Sequence, residues 1–152
     1  LADACLERGV SVVGVIPRHL DELEIGHRGL SRDPSAPSRL EIVGSMHERK
    51  ARMAGLADGF VALPGGIGTL EELFEVFTWG QLGLHTKPVA LLDVEGIWAP
   101  LIGALDHLVA ERFVKPEHRA FLLADSGVEA LLEKMAAWRA PKVFKWMELE
   151  EG

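Results

Sequence analysis

The chain has 152 residues, 48% of them hydrophobic and 26% charged, with a formal net charge of −7. That length can bury a real core within one domain, and the acidic balance excludes general binding to nucleic acid or to an anionic membrane surface, which needs basic surface. The single cysteine, Cys5, excludes an intrachain disulfide framework and fits a reducing, cytoplasmic compartment; no apolar run approaches the length of a membrane span, and no signal peptide is visible.

The opening residues, Leu1 to Gly9, read as the second half of an amphipathic helix ending at the glycine. With no initiator Met, the sequence is expected to be a piece that lacks an N-terminal strand and part of a helix. Val10 to Ile16 is a β-branched run closed by Pro17, the pattern of a strand buried on both faces. Residues 18–40 are polar and rich in Gly, Pro, Arg and Ser, which predicts loop, with a short helix near Leu20 to Ile25. Leu40 to Val43 forms a short strand. Ser45 then opens a helix through about Leu56, with Glu48 placed to complete a capping box. Phe60 to Leu63 is a buried strand, and apolar spacing predicts a helix over 70–82.

Val89 to Asp93 is another buried strand, introduced by Pro88. Trp98 to Phe113 reads as helix, Phe121 to Ala124 as a last short strand and Val128 to Trp138 as a last helix. Strands alternating with helices predict an α/β fold, a Rossmann-like parallel sheet with helices on both faces. Residues 1–140 make one domain, and 141–152 a charged tail.

The stretch Leu63-Pro64-Gly65-Gly66-Ile67-Gly68-Thr69 joins a strand to a helix. Its three glycines let a ligand approach the backbone. The amides and positive end of the following helix suit an anion such as phosphate. It is neither a Walker A loop, since no Gly-Lys-Ser/Thr follows, nor a dinucleotide fingerprint, since the third glycine is absent. A lone Gly-Gly pair would be only a tight connection; Pro64 and three glycines at a helix start favour anion binding. By spacing alone, Thr69 and Glu72 form a capping box. Beside a phosphate cradle, Glu72 would also lie near the sugar of a nucleotide, where it could direct water or stabilise positive charge on the ribose.

Arg49 and Lys50 fall in the first two turns of the helix begun at Ser45, where cations oppose the macrodipole. With Arg52 they form a solvated charged face, or Arg49 offers its fork to phosphate or to a carboxylate such as Glu72. The six histidines show no metal-ligand spacing. Trp79, Phe74 and Phe77 read as core, with a base-pocket wall as the alternative for Trp79.

Ser45-Met46-His47-Glu48-Arg49-Lys50-Ala51 followed by Pro64-Gly65-Gly66-Ile67-Gly68-Thr69-Leu70-Glu71-Glu72 resembles the LOG ("Lonely guy") family. These are cytokinin riboside 5′-monophosphate phosphoribohydrolases, often mislabelled lysine decarboxylases. Both family motifs are complete, and Val15 to Leu20, Thr78 to Gly83 and His85 to Pro88 look like further family segments. Family members begin with a strand carrying a Gly-Ser-Ser-like turn and a second strand with a Gly-Gly-Gly loop; neither is found in this sequence.

The resemblance implies hydrolysis of the N-glycosidic bond of a cytokinin riboside 5′-monophosphate or of AMP, giving free base and ribose 5-phosphate. It implies Arg49 and Glu72 as the catalytic pair and a phosphate held at Gly65, Gly66, Ile67, Gly68 and Thr69. Glu24, Lys50, Glu71 and Thr78 become further substrate contacts. It implies no metal or redox cofactor, a nucleoside 5′-monophosphate as the small-molecule partner and a homodimer. The alternatives are a general purine nucleotide nucleosidase and a non-catalytic nucleotide-binding module.

Overall fold

A computed structural model describes residues 1–23 and 26–140. It is an α/β protein of parallel strands flanked by helices. The strands fall into two sheets, and the chain into two compact units, Leu1–Ala57 and a second beginning at Asp58.

In the first unit, helix α1 (Ala2–Glu7) leads to strand β1 (Val13–Pro17), short helix α2 (Arg18–Asp21), strand β2 (Arg39–Val43) and helix α3 (Met46–Leu56). α1 stops where the sequence predicts. Gly9 takes a positive φ of 71°; its amide bonds to Leu6, and that of Val10 reaches back to Cys5, a helix stop that favours glycine. Val10 is thereby committed to the helix end and is 54% exposed, so β1 starts at Val13 rather than at Val10. β1 is buried only at Ile16 and Pro17, not along both faces. It pairs in parallel with β2, Val13 opposite Arg39 and Pro17 opposite Val43. Ile16, Leu30 and Leu40 form a small core, with Leu6, Val12, Leu20 and Ile42 packed against it. The predicted helix near Leu20 to Ile25 occurs earlier, as α2; Ile25 lies outside the described residues.

In the second unit, β3 (Phe60–Ala62), helix α4 (Ile67–Gln81), β4 (Val89–Leu92), helix α5 (Ala99–Ala110), short helix α6 (Pro116–Arg119), β5 (Leu122–Asp125) and helix α7 (Val128–Ala137) follow. The parallel sheet runs β3-β4-β5. β4, a continuous apolar run, is its central strand: Val89, Ala90 and Leu91 have no exposed surface. Leu91 at that depth contributes about 2 kcal/mol by burial alone. β3 lies at the edge of this sheet, and Val61 is 41% exposed, so the expectation of a fully buried strand fails there.

α4 buries Leu73, Phe77 and Gly80, spaced at four and three residues, against Val89, Leu91 and Phe121. Phe74 is exposed and Trp79 half-buried, so only Phe77 of those three aromatics is fully in the core. α5 ends earlier than the predicted Phe113, because Arg112 adopts a left-handed φ of 63° while the amides of Arg112 and Phe113 turn back to Val109 and Leu108. The predicted tail lies outside the described residues.

Candidate functional site

β3 ends at Ala62, and the chain crosses Leu63, Pro64 and Gly65 to Gly66, the N-cap of α4. The first intrahelical bond runs from the Leu70 amide to the Gly66 carbonyl at 3.1 Å. The amides of Ile67, Gly68 and Thr69 therefore have no partner within the helix, and no side chain caps them. No acidic residue stands in the first turn to offset the helix dipole. The turn opens at the carboxyl edge of a parallel sheet, where α/β proteins place ligands.

The three glycines do different work. A Cβ built on Gly65 would collide with the Thr69 hydroxyl and lie 2.9 Å from the Thr69 Cβ, so Gly65 is needed for Thr69 to fold back over the turn. A Cβ on Gly66 or on Gly68 would meet nothing within 4 Å. At these two positions the missing side chain leaves open space beside the unpartnered amides, which is what an incoming oxyanion requires.

The helix starts three residues before the predicted 70. Thr69 is thus the third helical residue and Glu72 lies in the second turn, so the apparent Thr69–Glu72 capping box is not one. Glu72 is half-buried. It stands four residues after Gly68 and three after Thr69, on their face of the helix, and its side chain leans toward the N-terminus. Glu71 is exposed. Thr78, also exposed, lies six residues beyond Glu72 and about 9 Å further along the axis, so the structure does not bring it to this turn.

In the first unit, α3 begins as predicted. The Ser45 hydroxyl accepts from the Glu48 amide at 3.1 Å, and Glu48 Oε2 accepts from the Gly44 amide at 2.7 Å. Arg49 and Lys50, both half-buried, follow this closed cap. Arg49 Nε donates to the Val15 carbonyl on β1 at 3.2 Å, which fixes the guanidinium over that strand. Arg52, grouped with them as a solvated face, instead donates to both oxygens of Glu41, at 2.5 and 3.0 Å. Arg39 donates to Glu41 Oε1 at 2.9 and 2.7 Å. Arg52 first, with Arg39 assisting, holds the Glu41 carboxyl down at about 2. The strand alternation that puts Arg39 and Glu41 on one face was the sequence signal for this cluster. Glu24 lies outside the described residues.

One feature of the sequence bears on anion binding at α4. Between Met53 and Thr86 there is no Lys or Arg, while Asp58, Glu71, Glu72 and Glu75 all fall there. A phosphate at this turn meets backbone dipoles and carboxylates from its own segment, so its balancing cations must come from other parts of the sequence. Among the described residues, no cluster of three or more His, Cys, Asp or Glu could hold a metal ion, and no helix is long and apolar enough to cross a membrane.

Comparison with known proteins matches residues 1–135 to the family described as "possible lysine decarboxylase". A probable cytokinin riboside 5′-monophosphate phosphoribohydrolase of Oryza sativa subsp. japonica is 44% identical over 135 residues, 89% of this chain and 57% of that protein. A cytokinin riboside 5′-monophosphate phosphoribohydrolase of Rhodococcoides fascians is 43% identical over 142 residues, 93% of this chain and 67% of that protein. One of Arabidopsis thaliana is 42% identical over 135 residues, 89% of this chain and 60% of that protein. The chain therefore spans roughly three fifths of the length of these relatives.

Proposed function

The chain belongs to the LOG family, the group that carries the "possible lysine decarboxylase" description, and we propose that it hydrolyses the N-glycosidic bond of cytokinin riboside 5′-monophosphates or AMP. The products are the free base and ribose 5-phosphate. The observation that carries this reading is the start of α4: unpartnered amides, open space at Gly66 and Gly68, and Glu72 one turn further on.

The 5′-phosphate occupies the turn from Gly65 to Thr69, accepting from the amides of Ile67, Gly68 and Thr69. That grip converts binding energy remote from the reacting carbon into its positioning. C–N cleavage builds oxocarbenium character on the ribose, and the Glu72 carboxylate stabilises it and directs water to C1′. On the family motif, Arg49 is assigned as the catalytic partner of Glu72 and Lys50 as a further substrate contact; within its own unit Arg49 is oriented by the Val15 carbonyl. On the resemblance alone, Glu24, Glu71 and Thr78 are proposed as further substrate contacts. No redox or metal step is required by this chemistry.

A homodimer accompanies this reading. Met46, Met53 and Leu56 on α3, and Ile67 and Phe74 on α4 with the adjoining Leu82, are exposed apolar side chains whose burial against a second copy would be favourable. Light scattering at micromolar concentration should give twice the monomer mass; a monomer counts against the dimer. The cysteine usage fits a cytoplasmic site of action.

Chromatography of base released from AMP, prenylated AMP, GMP and IMP tests the function. Release from prenylated AMP above that from the other three supports the cytokinin substrate, and equal release from the purine panel supports a general nucleosidase. Binding of AMP without any release of ribose 5-phosphate would leave only a nucleotide-binding module.

A further inference from the structure

α3 is held in its unit by polar contacts rather than by a core. None of its eleven residues is buried, whereas helices in proteins draw most of their stability from a packed apolar face. The cap formed by Ser45 and Glu48 fixes only the first turn. Further along, Arg52 sits three residues after Arg49 and on the same side of the helix. Its fork engages both oxygens of Glu41 on β2. Arg39, two residues before Glu41 on the same strand, donates twice to Oε1, the oxygen that Arg52 Nη2 also reaches, so the carboxylate is held from strand and helix together.

From this we infer that Glu41 and Arg52 are positioning residues: their ion pair sets the rotation of α3 about its own axis and so aims the Arg49 guanidinium, which meets the Val15 carbonyl one turn earlier. The inference rests on the functional role given to Arg49 above. Arg52 is 46% exposed and Glu41 19% exposed, and pairs of such exposure add little to global stability. Loss of the pair should therefore disturb aim far more than melting temperature. A 1 Å misplacement of a catalytic group can by itself cost on the order of a hundredfold in rate.

The test uses Arg52→Ala, Glu41→Gln and Arg52→Lys in the full chain, with the exchange of the Arg49 Nε–H followed by NMR in arginine-labelled protein and with kcat and KM measured on AMP. Arg52→Ala and Glu41→Gln should each speed that exchange about tenfold and lower kcat about tenfold, with KM within twofold and the melting temperature nearly unchanged. Arg52→Lys, which keeps the charge but not the fork, should restore part of both. An Arg49 Nε–H that exchanges as in the wild type in both Arg52→Ala and Glu41→Gln overturns the inference, whatever the activity. A wild type that releases no base from any nucleotide sinks the hydrolase reading instead, and the clamp is still judged on the Arg49 signal. If one variant does not fold, the other decides.

Discussion

Of the turns that lead from a parallel strand into a helix, those before α3 and α4 end in opposite ways. Between β2 and α3, the Ser45 hydroxyl accepts from the Glu48 amide and the Glu48 carboxylate accepts from the Gly44 amide, closing the turn with the chain's own oxygens. Between β3 and α4, an open glycine, Gly66, stands at the N-cap without a side-chain cap, and one further position, Gly68, is open. A glycine N-cap in place of Ser or Asp costs a helix only about a few tenths of a kcal/mol. α4 is anchored in the larger core through Leu73 and Phe77, whereas α3 has no buried residue and is held at its start by this cap. The proposed function turns on this contrast: a turn closed by its own side chains against one whose amides are left for an anion.

The sharpest way to break that contrast is at Glu72. Glu72→Gln keeps size and polarity while removing the charge, and base release from AMP should fall about 10²- to 10⁴-fold with nucleotide binding retained. Turnover at the wild-type rate would mean that the open turn is not where chemistry occurs. Arg49→Ala should lose activity comparably with little change in melting temperature; a large drop in stability would assign Arg49 a structural role.

Within the open turn, Gly65 and Gly68 should respond to substitution in opposite ways. Gly65→Ala forces a collision with Thr69 and should cost about 1–3 kcal/mol of stability, read by chemical denaturation. Gly68→Ala should do the reverse. It lies within α4, so the fold should gain up to about 1 kcal/mol, while AMP binding by calorimetry should weaken tenfold or more. Equal stability effects at the two positions would contradict the division of labour between them.

Changes at the closed turn should be smaller and should not touch binding. Glu48→Ala should lower stability by about 0.5–2 kcal/mol, and Glu48→Gln by less, since an amide can still accept from Gly44. Weakest of all is the acid response of the clamp beneath α3. Glu41 titrates near 2 in the folded protein, below its ordinary 4.5. Its contribution is therefore complete above pH 4.5 and disappears as pH falls toward 2. Urea titrations across that window should show a flatter pH dependence for Glu41→Gln than for the wild type; parallel curves would show that the pair adds no pH-dependent stability.

Which parts of this were legible in the sequence follows from where the determining signal lies. The start of α3 was, because Ser45 and Glu48 are local and their spacing is the cap itself. β4 was, because Val89 to Leu91 is apolar without interruption and central strands are buried on both faces. The start of α4 was misread: Thr69-x-x-Glu72 imitates a capping box, and only the backbone shows that Gly66 already caps the helix. The end of α5 was hidden because Arg112 takes the left-handed conformation that normally announces itself as glycine. The glycine motif and its acidic neighbour were visible as residue types. That Gly65 accommodates Thr69, whereas Gly66 and Gly68 leave space, depends on three-dimensional clearance that no spacing encodes. The pairing of Arg52 with Glu41 likewise joins residues eleven apart, on a strand and a helix, beyond the reach of local periodicity.

The most direct measurement is an amide NMR titration with AMP and, separately, with adenosine. Phosphate capture at the open turn predicts that the amides of Gly66, Ile67, Gly68 and Thr69 shift with AMP and stay in place with adenosine, while those of Ser45 to Glu48 show no phosphate-specific change. Amides from Gly66 to Thr69 that ignore AMP, or a phosphate-dependent shift centred on the Ser45 turn instead, would contradict it.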